Sequence, residues 1–205
     1  EPGADLTNMD LSGVDLSNVD LSGANLSGAD LSGANLKHTN LTDANLSGAN
    51  LSGSILEYTN LTQANLTGAD LTGSSSSDDA FPPRWVNLTG ADLTGANLSG
   101  VDLVHSTLSE TILIQANLSG ANLNNINFSS YDFSEANLSG ADLSYANLTG
   151  ANLTGTNLTS SKLHTADLSG ANLTGAVLTG ATLSSVTSGS VTGAPTLPTD
   201  YALVN

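Results

Sequence analysis

The hydrophobic residues of this chain recur every five residues. Residues 44–53 read ANLSGANLSG, so that Ala44, Leu46, Ala49 and Leu51 alternate with Asn, Ser and Gly. An α-helix turns about 100° per residue, so residues five apart spiral around it and form no apolar stripe. In one continuous strand Leu46 and Leu51 would point to opposite sides. The period therefore argues against a long amphipathic helix and against a long strand.

A short extended segment followed by a bend satisfies the period. Each Ala-Asn-Leu triplet places Ala and Leu on one side, and Ser-Gly then turns the chain before the next triplet. Gly suits this corner because the third residue of a type II turn needs a positive φ. If each corner turns about a right angle, four repeats form a coil of about twenty residues, and stacked coils lie about 4.8 Å apart. The pattern predicts an all-β solenoid with Leu and Ala inside.

The repeat resembles that of a known family. The runs ANLSG at residues 24–28 and ADLTG at residues 91–95 resemble the pentapeptide-repeat family, over nearly the whole chain. The resemblance implies a right-handed quadrilateral β-helix with four repeats per coil, in which the central Leu or Phe and the residue two before it point inward. Because Phe128 and Phe133 replace the central Leu, we expect a locally swollen core over residues 126–133.

Two segments break the repeat. Leu88 follows Leu71 at a spacing of seventeen, which we interpret as one repeat of five plus an insertion of twelve. The insertion is either a loop that bulges from a continuous coil or a spacer between two rods. The predicted regions are a first run at 4–73, a Ser/Asp/Pro-rich loop or spacer at 74–85, a second run at 86–185 and a tail at 186–205.

The tail admits two interpretations. It could cap the last coil through Leu197, Tyr201 and Leu203, or it could begin a spacer. Both the tail and the segment 74–85 contain an apolar residue before Pro, then an aromatic residue, then Val-Asn. This likeness favours a module excised from a longer repeat protein.

The composition narrows the classes of function. The chain has 19 Asp and Glu against 3 Lys and Arg, a net charge of −16, so we expect no nucleic-acid ligand. It has no Cys, which excludes disulfides and cysteine metal sites. The sequence contains no run of 18 apolar residues that would predict a membrane span. We therefore expect a soluble protein that does not bind membranes. Recurrent Asn-Leu-Ser/Thr sequons, as at Asn40, favour a bacterial or plastid compartment over eukaryotic secretion.

We expect no enzymatic activity, because no nucleophile, base and acid fall into a recognisable pattern. His105 and His164 are expected about three coils apart, roughly 14 Å, which is too far for one metal ion to bind both. We therefore predict no catalytic, cofactor-binding or metal-binding residue. Burial of each Leu contributes about 1.5–3 kcal/mol, so the core needs no cofactor for stability.

Departures from the repeat at outward positions indicate candidate surfaces. Lys37 and Glu57, and likewise His38 and Tyr58, are separated by four repeats and should stack one coil above another. A candidate interaction surface and a candidate acidic face complete the set. The first consists of Val104, Ile112 and Ile114, and the second of Asp5, Asp10, Asp15, Asp20 and Asp30.

The sequence favours a non-enzymatic structural or protein-interaction module, an acidic scaffold with an unknown protein partner. The alternative comes from the resemblance, since some family members are acidic rods that mimic DNA, inhibit type II topoisomerases such as gyrase and protect against quinolones. Those members dimerise through a C-terminal helical segment, which residues 184–205 do not resemble. We therefore expect a monomer or weak end-to-end association.

Overall fold

The fold is a stack of short parallel pairings. The computed structural model describes residues 1–74 and 86–198, and the chain divides into two compact units, Glu1–Ile112 and Leu113–Asn205. In both units the backbone pairs through single parallel β-bridges, and none of the described residues is helical. Within the described ranges, no helix is long and apolar enough to cross a membrane.

Four ladders of bridges run through unit 1. Most bridges join equivalent positions of repeats that are four apart, so four pentapeptides make one coil. Asn25 shows the pairing, because its N–H donates to the Ala4 carbonyl at 2.9 Å while Leu26 donates to the Asn45 carbonyl at 2.7 Å. Ladder 1 contains Asp5, Asn25, Asn45, Asn65, Asp92 and Ile112; ladder 2 Asp10, Asp30, Asn50, Asp70 and Asn97; ladder 3 Asp15, Asn35 and Ile55; ladder 4 Asp20, Asn40, Asn60, Asn87 and Thr107.

Unit 2 repeats this architecture with four ladders of its own. Its bridges also join repeats that are four apart, except that Val177 pairs with Thr196, one position short of a full coil. Ladder 5 contains Asn117, Asn137, Asn157, Val177 and Thr196; ladder 6 Asn122, Asp142, Lys162 and Thr182; ladder 7 Asn127, Asn147, Asp167 and Thr187; ladder 8 Asp132, Asn152, Asn172 and Thr192.

The corners between ladders are tight turns of the kind that the repeat predicts. The Leu26 carbonyl accepts a hydrogen bond from the Ala29 N–H at 3.0 Å, and Gly28 between them has a φ of 65°. A left-handed φ at the third residue favours Gly, because an L side chain there clashes with its own backbone. The same corner position nevertheless holds His38, Tyr58 and Tyr145, with φ values between 55° and 62°.

The inward positions form the core. The central Leu and the Ala two residues before it are almost fully buried throughout the coils between residues 21 and 178 that the structure describes. The swollen segment predicted at 126–133 is an aromatic cluster, in which Phe128 and Phe133 are fully buried and their ring centroids lie 5.1 Å apart, edge to face. The Tyr131 ring packs against both of them. Two Phe side chains therefore fit where Leu stands in other repeats.

The ladders of unit 1 continue on the far side of the insertion. Asn60 pairs with Asn87, Asn65 with Asp92 and Asp70 with Asn97, each at a spacing of 27 in the chain. This spacing is one coil of four repeats plus seven, so Leu88 stacks on Leu61 and lies two repeats after Leu71. The interpretation as five plus twelve is therefore wrong, because the bridges before and after the insertion are offset by seven residues and not by twelve. Residues 75–85 themselves lie outside the described residues.

The solenoid also extends into the predicted tail. Thr187, Thr192 and Thr196 pair with the preceding coil, so residues 186–196 continue the ladders of unit 2. Leu197 is half-buried, whereas Tyr201 and Leu203, the other residues of the predicted cap, lie outside the described residues. The first part of the tail therefore forms part of a further coil.

Candidate interaction surface

Most outward polar side chains take part in hydrogen bonds that hold the coils together. The Asn25 carboxamide oxygen accepts the N–H of Ser27 at 3.3 Å and the side-chain NH₂ of Asn45, one coil on, at 3.1 Å. The same two bonds recur along several ladders, with Asp replacing Asn as the acceptor in some repeats. These side chains cap the turns and bridge the coils, so they have a structural role.

The five aspartates of the predicted acidic face do not share one face. Asp5, Asp10, Asp15 and Asp20 begin ladders 1 to 4 and therefore form a ring around the first coil. Asp30 alone stacks on another of them, as it pairs with Asp10 on ladder 2. The cause is the five-residue spacing, which moves each successive aspartate to the next ladder instead of up the same one.

The carboxylates of this ring are stabilised in their charged form. The hydroxyl and the N–H of Thr7 donate to Asp5 Oδ1 at 2.6 and 3.2 Å and hold the pKa of that carboxyl below its usual range. Hydrogen bonds from the residue two positions on likewise lower the pKa of the other three, Asp10, Asp15 and Asp20. The first coil therefore carries four charged carboxylates at neutral pH, all exposed.

The lysines and histidines of the described chain are not spread evenly over the ladders. In unit 1, Lys37 and His38 belong to one repeat of ladder 3, and His105 belongs to the repeat between Asn97 of ladder 2 and Thr107 of ladder 4. In unit 2, Lys162 and His164 both belong to one repeat of ladder 6. The described lysines and histidines thus fall on a small part of the surface of each unit.

In unit 1 these departures form the Tyr58 cluster, which consists of Lys37, His38, Glu57 and Tyr58. Lys37 Nζ lies 3.0 Å from Glu57 Oε2, and the Glu57 side chain is only 5% exposed. The rings of His38 and Tyr58 stack in parallel, with centroids 4.8 Å apart and an interplanar angle of 3°. Both pairs join residues one coil apart, as the sequence predicts, and Tyr58 remains 37% exposed.

Unit 2 contains a comparable group, the Tyr145 cluster, whose members are Asp142, Tyr145, Lys162, His164 and Ser184. Lys162 Nζ lies 3.3 Å from Asp142 Oδ2, and the rings of Tyr145 and His164 meet edge to face at 5.5 Å. His164 Nδ1 is 2.7 Å from Ser184 Oγ. This group was not predicted, although the spacing of one full coil between Asp142 and Lys162 is visible in the sequence.

Two buried hydroxyls lie beneath these clusters. Ser54 and Ser161 occupy inward positions of ladders 3 and 6, where most repeats have Ala, and their Oγ atoms have no hydrogen-bond partner. By contrast, the inward Thr59 hydroxyl donates to the Leu36 carbonyl at 2.8 Å. The γ-methyl group of Thr fills part of the space and leaves its hydroxyl directed at the preceding coil.

The predicted apolar surface is divided between the units. Val104 and Ile112 belong to unit 1, and Ile114 belongs to unit 2. Ile112 is 41% exposed, whereas Val104 and Ile114 are half-buried. In the described part of the chain, no group of three or more His, Asp or Glu side chains could hold a metal ion.

The family follows from the repeats. The model of the family "Pentapeptide repeats" matches in eight copies that together span residues 3–73 and 87–187. This chain belongs to the pentapeptide repeat family. A search of curated proteins finds no match to this pentapeptide repeat chain.

Several solved structures are similar to this pentapeptide repeat chain. HetL, a pentapeptide repeat protein involved in heterocyst differentiation regulation in the cyanobacterium Nostoc sp. strain PCC 7120, is 31% identical, with 91% of this chain and 87% of HetL covered and a TM-score of 0.49. QnrB1, a plasmid-mediated fluoroquinolone resistance protein, is 24% identical over 88% of this chain and 78% of its own, with a TM-score of 0.45. AT2G44920, from the thylakoid lumen of Arabidopsis thaliana, is 27% identical over 72% of this chain and 70% of its own, with a TM-score of 0.22.

Proposed function

We propose that this protein is a non-enzymatic protein-interaction module, a rigid acidic scaffold of β-helical coils. The observation that carries the proposal is that the outer side chains differ in what they contact. Asn, Asp, Ser and Thr on most of the outer surface are engaged in turn caps and bonds between coils. Ladders 3 and 6 also present exposed Tyr and His side chains, whose rings contact one another across neighbouring coils.

The proposal also includes the handedness of the coils, their cross-section and the compartment. We infer that the coils wind right-handed with a square cross-section, as the family resemblance implies. A bacterial or plastid compartment is part of the proposal, because the recurrent Asn-Leu-Ser/Thr sequons would be glycosylated on a eukaryotic secretory route. A regular surface backed by a Leu core suits a scaffold, because binding then needs little ordering of the backbone.

A second candidate is a DNA mimic that inhibits a type II topoisomerase. The four charged aspartates of the first coil favour it. Against it, these carboxylates form a ring, whereas a mimic of the DNA backbone needs charges in a row along the axis. Only Asp10 and Asp30 stack in that direction within the set.

Two assays in parallel distinguish the candidates. The immobilised full chain is incubated with a lysate of its source organism, and each retained protein is purified and titrated against the free chain by calorimetry. Gyrase supercoiling is measured with the same protein preparation. The matched control is the variant with all five aspartates of the predicted acidic face changed to Asn, which keeps the ladder hydrogen bonds but removes the charge.

The scaffold proposal predicts saturable binding of a protein and no inhibition of supercoiling. Inhibition that is lost in the Asn variant would replace the scaffold with the DNA mimic. Turnover of a substrate by the purified chain, or failure to retain any protein that binds saturably, would overturn the scaffold proposal.

A further inference from the structure

The Tyr58 cluster occupies a corner where its side chains are conformationally costly. His38 and Tyr58 have φ values of 58° and 55°, in the left-handed region that twenty glycines and fourteen other non-glycine residues of the described chain also occupy. An L residue is strained in this conformation, and Gly is not. The two rings thus occupy corners where Gly would fit without strain, which makes them candidates for a role in binding.

The cluster exposes an aromatic surface without a net positive charge. Tyr58 is 37% exposed, and the neighbouring Ile55 on ladder 3 is 36% exposed. The one ammonium group, that of Lys37, is paired with Glu57 at 3.0 Å. A cation that approaches the Tyr58 ring therefore meets a neutralised lysine rather than a free one.

The charge of unit 1 selects the class of partner. Its sequence holds fourteen Asp and Glu against two Lys and Arg, whereas that of unit 2 holds five against one. Such a field attracts basic protein surfaces and repels nucleic acids, anionic lipids and acidic peptides. Among basic groups, the guanidinium of Arg stacks best on an aromatic ring, because it is planar and weakly hydrated.

We propose that the Tyr58 cluster docks an arginine-bearing segment of a partner protein, with a guanidinium group against the exposed Tyr58 ring. This inference rests on the proposed function as an interaction module and names the surface and the chemistry of its partner. The field of unit 1 concentrates the basic segment, and the aromatic ring fixes where it binds.

The test uses the full chain and a defined probe, an acetylated and amidated tetra-arginine peptide at low salt. Binding is followed by calorimetry and by the ring-proton resonances of Tyr58 and His38, and a tetraglutamate peptide is the control ligand. Three variants are compared, once their melting curves have been shown to agree with that of the wild type. Tyr58→Leu removes the aromatic ring, Tyr58→Phe keeps it, and Tyr145→Leu removes the exposed ring of unit 2.

The expected result is a shift of the Tyr58 ring protons on titration and a Kd about two- to fivefold weaker in Tyr58→Leu. Tyr58→Phe and Tyr145→Leu should bind like the wild type, and tetraglutamate should not bind. An unchanged Kd in Tyr58→Leu, an equal loss in Tyr145→Leu, absence of tetra-arginine binding or binding of tetraglutamate would each overturn the proposal.

The lysate experiment separates this inference from the proposed function. A partner that wild type and Tyr58→Leu retain equally well rules out the Tyr58 surface but leaves the interaction module standing. Conversely, tetra-arginine binding that depends on Tyr58, with no protein partner retained, confirms the chemistry of the surface and overturns the module.

Discussion

The Tyr58 and Tyr145 clusters have almost the same components and differ in geometry. Each combines a lysine–carboxylate pair with a contact between an imidazole and a phenol ring. His38 and Tyr58 are one full coil apart and stack in parallel, whereas His164 falls one position short of a full coil from Tyr145 and the rings meet at an interplanar angle of 89°. In these two clusters, a difference of one residue in register accompanies the change from parallel stacking to an edge-to-face contact.

The two ion pairs differ in burial. The Glu57 side chain is 5% exposed and that of Lys37 is 38% exposed, against 30% for Asp142 and 62% for Lys162. Exposed pairs are screened by water and contribute little to stability, about 0–1 kcal/mol. The lysine of the Tyr58 cluster should therefore contribute more to the free energy of unfolding than the lysine of the Tyr145 cluster does.

Replacement of the lysines should produce the largest difference between the clusters. Lys37→Met is expected to lower the free energy of unfolding by about 1–2 kcal/mol, because a buried carboxylate loses a charged hydrogen-bond donor. Lys162→Met should change it by less than about 1 kcal/mol, since its pair is exposed. Urea unfolding of both variants measures the difference, and equal losses would contradict the distinction by burial.

Removal of the buried hydroxyls should stabilise both clusters. Ser54→Ala and Ser161→Ala are each expected to raise the free energy of unfolding by about 1 kcal/mol, because each Oγ is buried without a hydrogen-bond partner. Thr59→Ala is the matched control and should destabilise, as its hydroxyl donates to the Leu36 carbonyl. Urea midpoints of the three variants test this, and a loss of stability in both Ser variants would contradict it.

An exchange of two neighbouring residues should convert one geometry into the other. In the double variant His164→Thr with Thr165→His, the imidazole is one full coil from Tyr145 and occupies the corner position that Thr165 holds with a φ of 57°. We expect parallel stacking, visible as upfield shifts of the Tyr145 ring protons. Stability should change by only a few tenths of a kcal/mol, because the contact is exposed. Unchanged Tyr145 resonances would show that register does not set the geometry.

The pH dependence of the Tyr145 cluster should be the smallest effect. Burial raises the pKa of Asp142, but hydrogen bonds from Ser144 and the charge of Lys162 outweigh it and bring the pKa below 3.8. A lowered pKa stabilises the fold above pH 3.8, and this contribution disappears as the pH falls through the folded-state value. The difference in melting temperature between wild type and Lys162→Met should therefore shrink below pH 3.8, and a difference that grows in acid would contradict this.

Counting by repeats and by coils of four repeats recovers much of the structure from the sequence. The Leu and Ala core, the coil of four repeats and both pairs of the Tyr58 cluster follow from that count, and the contacts confirm them. The Tyr145–His164 contact does not follow, because its spacing of nineteen falls outside the ladder rule. Which ladder Leu88 joins could not be decided from a spacing of seventeen, since five plus twelve and ten plus seven fit equally well.

The division at Ile112 and Leu113 was not predicted from the sequence either. Leu113 is buried like the other central leucines, and only its outward neighbours Ile112 and Ile114 depart from the repeat. The aspartates of the first coil were wrongly predicted to share one face because they are close together in the sequence, whereas each lies on a different ladder. A five-residue period separates neighbours in the sequence and brings together residues that are four repeats apart.

The insertion in unit 1 lengthens the chain without disturbing the phase of the ladders. Asn87, Asp92 and Asn97 resume pairing as if the seven additional residues were absent. The ladders thus accept additional chain between Ser74 and Val86 without a change of phase. We expect an epitope tag spliced into this segment to leave the pairing of Asn60 with Asn87 intact.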